Sequence, residues 1–295
     1  MNATTQQIAD LRLALPKGRM QEGLSRLLAD AGVRLQNSSR NYRPTVSLDG
    51  VEAKLLKPQS IIEMLATGSR DVGFAGADWV AELDAELVEV LDTGLDPVRL
   101  VAAAPSAFLV DGRLPDRPLT VASEYSRLTQ SWIADRGLDA RFVRSYGATE
   151  VFPPEDADCI VDNTATGSTL RANDLAIVDE LMRSTTRMYA CPQAMQDPGK
   201  RQRIEDLALL LRGVLEARSR VLIEFNVEET RLNELLAVVP CMREPTVSRL
   251  AGAGYAIRVA ILRDVLPSLI PQIRSLGGTD ILVSAPDLIV PGGVA

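Results

Sequence analysis

Apolar runs that end in glycine-bearing loops and pass into helix-spaced segments recur along most of this chain, and that alternation limits its fold more than any other feature. Leu11 to Leu15 alternates as a strand and ends at Pro16-Lys17-Gly18-Arg19, after which Leu24, Leu27, Leu28 and Ala31 recur at helical spacing. Val51 to Leu55 reads as a strand. Pro58, suited to a first turn, then opens a helix through Ile61, Ile62 and Leu65. Asp71 to Gly76 is a short strand leaving through glycines, with Asp78 capping or entering the next helix. A second unit follows, with strands at Val98–Ala104, Leu119–Ala122 and Arg141–Arg144 around a helix at Tyr125–Arg136. Strand-like segments at Leu175–Met182 and Met188–Cys191 precede a helix from Lys200 to Arg218.

Strands alternating with helices predict mostly parallel, open α/β sheets. Two such lobes, arranged as in periplasmic binding proteins, place a ligand cleft at the carboxyl ends of their strands. The rest of the chain reads strand (220–226), helix (229–238), strand (246–250), strand (255–262), helix (264–276) and strand (280–283). That βαββαβ order is the ferredoxin-like split motif, a module that serves regulation or oligomerisation. The domains expected are therefore 1–98 with about 178–218 as one lobe, 99–177 as the other, and 219–295 as the ferredoxin-like domain.

Within the second lobe, Asp158 to Leu170 reads DCIVDNTATGSTL. A strand that turns through glycine and small hydroxyls into a helix aims N–H groups and hydroxyls at one point, a seat for a phosphate monoester. The acids just upstream, Asp158 and Asp162, suit the vicinal hydroxyls of a ribose. Together they suggest a phosphoribosyl site; the plain alternative is a capped strand end with solvated acids.

Composition removes many other chemistries. The chain has no histidine, which excludes Ser-His-Asp hydrolysis and most transition-metal sites. Carboxylates, hydroxyls, arginine, lysine and a loosely held Mg²⁺ remain. Cys159, Cys191 and Cys241 are widely spaced, which argues against disulfides and zinc and for a reducing cytoplasm. The polar start, MNATTQQIADLR, lacks a signal-peptide core, and no apolar run reaches the roughly 18 residues of a membrane span. A net charge of −7 disfavours nucleic acid, so an anionic ligand needs a local basic cluster. Lys17, Arg19, Arg43, Lys54 and Lys57 form one in sequence.

Four segments together resemble the long, three-domain form of the ATP phosphoribosyltransferases. LPKGR (15–19) is similar to that family's N-terminal loop, and KPQSIIEMLATGSRDVGFAGAD (57–78) to a segment with a basic-proline start and a D-x-G-x-x-G-x-D end. GATEVFPPEDADCIVDNTATGSTLRANDL (147–175) resembles its phosphoribosyl pyrophosphate signature, and EPTVSRLAG (244–252) the entry to its regulatory domain. The resemblance spans essentially the whole chain. One departure lies between Glu150 and Asp158, where Pro153-Pro154-Glu155-Asp156 replaces a slightly longer stretch with a customary glycine.

The resemblance implies a transferase that joins the ribose carbon of phosphoribosyl pyrophosphate to N1 of ATP and releases pyrophosphate, the opening step of histidine biosynthesis. It implies Mg²⁺ as cofactor, held by Asp158 and Asp162 through water or substrate, feedback inhibition by histidine, and homo-oligomers from dimer to hexamer. The roles it carries over are Thr166, Gly167, Ser168 and Thr169 on the 5′-phosphate, Thr164 as a further substrate-binding residue, and Asp158 and Asp162 on ribose hydroxyls or hydrated metal, with Glu150 beside them. Lys17, Gly18 and Arg19 face the pyrophosphate or ATP phosphates, while Arg43, Lys54, Lys57 and Asp78 are further cleft residues. Asn226, Met242, Glu244, Thr246, Ile261 and Asp280 match the family's histidine contacts; Glu244 and Asp280 suit an ammonium or imidazolium. The competing reading is a two-lobed ligand-binding or accessory protein without turnover.

Overall fold

The computed structural model describes residues 11–36, 42–242, 244–290 and 292. The chain divides into two compact units, Met1–Ala208 and Leu209–Ala295.

The first unit is built on one sheet of eight strands. Its elements are β1 (Leu11–Pro16), α1 (Arg19–Asp30), the two-residue strands β2 (Leu35–Gln36) and β3 (Thr45–Val46), β4 (Val51–Leu56), α2 (Pro58–Ala66), β5 (Val72–Gly76) and α3 (Ala77–Glu82). There follow β6 (Val88–Pro105), β7 (Leu119–Ser123), α4 (Ser126–Asp135), β8 (Ala140–Arg144), β9 (Cys159–Thr164), α5 (Ser168–Ala172), β10 (Leu175–Ala190) and α6 (Pro192–Gln196). Helix α7 (Pro198–Ser219) begins in this unit and ends in the next.

The strand order is β4-β1-β5-β10-β6-β9-β7-β8. Pairing is parallel within each half, β4-β1-β5 and β9-β7-β8, and antiparallel wherever β6 or β10 takes part. The mostly parallel sheet expected from the sequence is thus mixed. The lobe boundaries expected near residues 98 and 177 fall inside β6 and β10, which run through both halves as one ribbon of 18 and 16 residues. The sequence pattern shortens β6 because its first stretch, VEVLDTGLDP, is polar and bulged, and it splits β10 into two segments around residues 183–187. The ribbon's register shifts repeatedly between Ile177 and Tyr189, and Gly94 and Asp96 take positive φ.

Burial explains the apolar runs. Leu100, Ala102, Val121, Tyr125, Cys159 and Val161 pack on one face of the second half, while Val101, Ala103, Ala122, Ile160, Leu170 and Leu175 pack on the other. A strand covered on both faces loses polar alternation, which is why LVAAA reads as continuous apolar sequence. Helix α7 is tied to the sheet through Asp71, which accepts from Lys200 Nζ at 2.8 Å and from Arg12 at 2.7 to 3.0 Å. Burial opposes its charge, but those two cations prevail and hold the carboxyl below its ordinary range.

The second unit contains β11 (Arg220–Val227), α8 (Leu232–Val238), β12 (Thr246–Arg249), β13 (Tyr255–Leu262), α9 (Leu266–Ser275) and β14 (Thr279–Ser284). The sheet order is β12-β13-β11-β14, antiparallel throughout, as the split βαββαβ motif requires. Val221, Ile223, Phe225, Ile257, Val259 and Ile261 point to one face, where they pack with Leu235, Leu269 and Ile273 of the helices.

Candidate active site

At the carboxyl ends of β1 and β5, a cavity of about 180 Å³ is lined by Lys17, Arg19, Gly76, Asp78, Trp79, Asp96, Asn163, Ser184 and Thr186. Gly18, at φ 85°, turns the chain from β1 into α1, so that Lys17 and Arg19 flank the helix start. The Lys17 ammonium lies 5.1 Å from the centre of the Tyr42 ring. Gly76 is required at the end of β5 because a Cβ there would collide with Asp78 Oδ1.

Asp78 is 5 % exposed and fully engaged. Its Oδ1 accepts from Ser184 Oγ at 2.6 Å, and its Oδ2 accepts from the Tyr125 hydroxyl, also at 2.6 Å. The Tyr125 oxygen in turn accepts from Asn163 Nδ2 at 2.9 Å, and its ring stacks on Trp79 with centroids 4.6 Å apart. Burial and the neighbouring Asp78 charge raise the pKa of the Tyr125 hydroxyl above its ordinary value, which keeps it the donor. This chain of bonds links α3, the start of α4, β9 and β10, and so forms a cavity wall from both halves of the sheet.

The glycine and hydroxyl corner, the candidate phosphate seat, follows β9 directly. Thr164 Oγ1 accepts from Gly167 N–H at 3.0 Å; Gly167 is left-handed at φ 74°, and Thr166 Oγ1 lies 3.1 Å from Ser168 Oγ. Thr169 is the second residue of α5. That helix has only five residues, so the seat depends on hydroxyls and N–H groups, with little of the expected macrodipole. A cation not singled out from the sequence lies beside Gly167: an Arg171 nitrogen would stand 3.0 Å from a Cβ built there.

Asp162 precedes the corner, and its Oδ1 accepts from Asn163 N–H at 2.7 Å. Burial pushes its carboxyl up to about 6, assisted by the charges of Glu150 and Glu124. Glu150 sits in the 3₁₀ turn Thr149–Val151, which is held by left-handed Ala148 and by the Ser145 and Thr149 hydroxyls 2.8 Å apart. Glu150 is therefore an electrostatic neighbour of Asp162.

Asp158 requires correction. It stands just before β9, four residues from Asp162, and a strand of that length separates the two by about 13 Å. Its Oδ1 pairs with Arg117 at 3.0 Å, and its Oδ2 accepts from Thr120 N–H at 2.8 Å. It therefore fastens β9 to β7 at the end away from the corner, and cannot share a ribose or a metal with Asp162. Asp158→Asn is expected to keep kcat within about threefold and to cost about 1 kcal/mol of stability in denaturant titration, since one bond and a half-exposed ion pair weaken.

Arg43 and Lys54 do not line the cavity. Arg43 pairs with Glu52 at 3.6 Å, and Arg70 reaches the same carboxylate at 3.4 Å. Burial, then Arg70 and Arg43, lower the pKa of Lys54 within that cluster. Lys57 is exposed at the N-cap of α2, and its neighbour Pro58 lines the cavity in its place.

In the second unit, the open sheet face holds a cavity of about 340 Å³ that brings together Asn226, Thr246 and Asp280 with Glu224, Ser248 and Arg258. Asn226 Nδ2 donates to Asp280 Oδ2 at 3.0 Å. Met242 lies beside β13, its N–H on Ala260 O at 3.4 Å, and Glu244 is exposed in the loop before β12. Ile261 is the second correction. It is 1 % exposed among Val221, Leu269 and Ile273, on the face opposite the cavity, because it is odd in register where the open-face residues are even.

The sequence reading missed Trp79, Tyr125, Asn163 and Ser184. Tyr125 and Asn163 could have been found as polar groups at the carboxyl ends of β7 and β9. Ser184 fell in the gap between two segments that are one strand.

Comparisons with known proteins identify the family. The family model described as "HisG: ATP phosphoribosyltransferase" matches residues 57–213, and "HisG, C-terminal domain" matches residues 217–285. An ATP phosphoribosyltransferase of Chlorobium luteolum is 38% identical over 277 residues, 92% of this chain and 94% of that protein. One from Pelotomaculum thermopropionicum is 36% identical over 287 residues, 95% of this chain and 99% of its own. A solved ATP phosphoribosyl transferase (HisG:HisZ) complex from Thermotoga maritima aligns with TM-score 0.62 and 27% identity, covering 70% of this chain and 98% of that one. The match extends through both units, and the chain belongs to the ATP phosphoribosyltransferase family, whose activity is the first step of histidine biosynthesis.

Proposed function

We propose that the corner Thr164–Thr169 binds the 5′-phosphate of phosphoribosyl pyrophosphate and that Asp162 faces its ribose. Lys17, Gly18 and Arg19 face the phosphates of ATP or the departing pyrophosphate, and the Trp79 wall of the cavity receives the adenine. One observation carries this reading: Asp162 and Asn163 are adjacent on β9, the first leading into the phosphate corner and the second lining the cavity that holds Lys17 and Arg19. Breaking the bond to pyrophosphate leaves positive charge on the sugar and negative charge on the leaving group. A desolvated carboxylate and two cations on either side suit that separation. Adenine N1 attacks by itself, so the protein chiefly positions two anions and needs no covalent nucleophile.

Mg²⁺ fits the donors present, which are hard carboxylate oxygens. Among the described residues no three His, Cys, Asp or Glu side chains are spaced to hold an ion alone, so Asp162 would share it with substrate oxygens. When bound, Mg²⁺ neutralises charge on the pyrophosphate.

Histidine is the inhibitor we assign to the cavity of Asn226, Thr246 and Asp280, and self-association of the chain completes the assembly. No described helix is long and apolar enough to cross a membrane. Pyrophosphate release from ATP, phosphoribosyl pyrophosphate and Mg²⁺ tests the whole reading. Turnover that needs ATP is expected, with added histidine suppressing it about tenfold or more and Asp280→Ala removing that suppression. Binding of either substrate without turnover would favour the accessory reading instead.

A further inference from the structure

Helix α4 has no capping side chain of its own: Tyr125, at its N-cap, makes no side-chain bond to the helix. Its first free N–H groups are met from elsewhere. Glu82, the last residue of α3, accepts from Arg127 N–H with one oxygen and from Leu128 N–H with the other, both at 3.0 Å. Glu82 is 8 % exposed and comes from the other half of the sheet. Arg127 reciprocates, donating to Ala81 O at 2.9 Å and pairing with Asp84 at 2.8 Å. The carboxyl end of one helix is thus stitched to the amino end of another, where a carboxylate also complements the dipole.

Asp78 and Glu82 are four residues apart on α3 and share one face. Asp78 holds the Tyr125 hydroxyl, Trp79 stacks on its ring, and Glu82 holds the turn that follows Tyr125. We infer that Glu82 is a positioning residue for the nucleotide side of the reaction: by capping α4 across the two halves of the sheet, it fixes Tyr125 against Asp78 and Trp79. This rests on the reading that the Trp79 wall receives ATP. Glu82 does not line the cavity itself, so its influence passes through Tyr125 and Trp79.

The test compares Glu82→Ala, which loses both bonds, with Glu82→Gln, which keeps one acceptor oxygen. Removing the cap should raise KM for ATP about fivefold to tenfold in Glu82→Ala and less in Glu82→Gln, with KM for phosphoribosyl pyrophosphate unchanged. If Glu82→Ala does not fold, Glu82→Gln alone carries the comparison. A purely stabilising cap would lower the melting temperature or kcat and leave both KM values alone, which would overturn the inference. A second readout separates this from the nucleotide reading. The chain has two tryptophans, so Trp132→Phe leaves Trp79 as the fluorescent reporter. The Glu82 variants should shift its emission before any substrate is added, and ATP should quench it in the parent. No shift would refute the joint; no response to ATP would refute the nucleotide reading and the proposed role with it.

Discussion

Gly167→Val is expected to lower affinity for phosphoribosyl pyrophosphate at least a hundredfold while the protein stays folded. Gly167 is left-handed at φ 74°, a conformation that costs an ordinary L-residue about 1–2 kcal/mol and a β-branched one more. A Cβ there would also stand 3.0 Å from an Arg171 nitrogen, displacing the cation beside the turn. The turn must then open, the Gly167 N–H bond to Thr164 Oγ1 is lost, and the donors no longer converge on one phosphate. Each charge-assisted bond lost is worth about 1.5–3 kcal/mol, so two suffice for the expected change. The packed strands beneath do not depend on the turn, and the melting temperature should fall by only a few degrees. Titration calorimetry with phosphoribosyl pyrophosphate decides the matter: unchanged affinity would remove the corner from the site.

Asp162→Asn should separate stability from activity. Burial and the charges of Glu150 and Glu124 raise this carboxyl to about 6, above the roughly 3.9 of an unfolded chain. Between those values the folded protein binds the proton more tightly than the unfolded one, so the group favours folding more as pH falls. Its penalty is therefore full above about pH 6 and gone below about pH 4. Asparagine removes the penalty and keeps an oxygen for the Asn163 N–H. The variant should be more stable than the parent by about 1–2 kcal/mol at pH 8, a difference that closes toward pH 4, as measured by urea titration at both. Its kcat should drop about a thousandfold, the scale on which losing one preorganised electrostatic group is felt. In the parent, kcat/KM should decline below pH 6 with a single protonation, whereas the variant's should be low and flat. An active Asp162→Asn enzyme would sink the role given to this carboxylate.

Much of the fold was legible because its signals are local. The strand Leu11–Pro16, the proline-started helix α2, the corner at Gly167 and the βαββαβ order of the second unit each depend on residues within a few positions of one another. The start of β6 and the middle of β10 are not legible as strand because they have neither apolar runs nor regular alternation; pairing with each other holds them extended. Asp158 is an acid close to the corner in sequence, and Ile261 matches a family contact by position. Strand geometry, with its rise per residue and its two faces, carried one to the far end of β9 and the other into the core.

The sequence by itself therefore determined most of the strands and helices, where glycine turns the chain, and that a corner of glycine and small hydroxyls with an adjacent acid follows a strand. Those properties follow from backbone sterics and apolar spacing over a few residues. Only the tertiary structure decided the cleft wall, since its bonds join residues distant in the chain: Asp78 to Ser184 across 106 positions, Asp78 to Tyr125 across 47, and Tyr125 to Asn163 across 38. No local pattern encodes such partners, because a buried hydroxyl or carboxylate is satisfied by whatever group the packed sheet brings within about 3 Å.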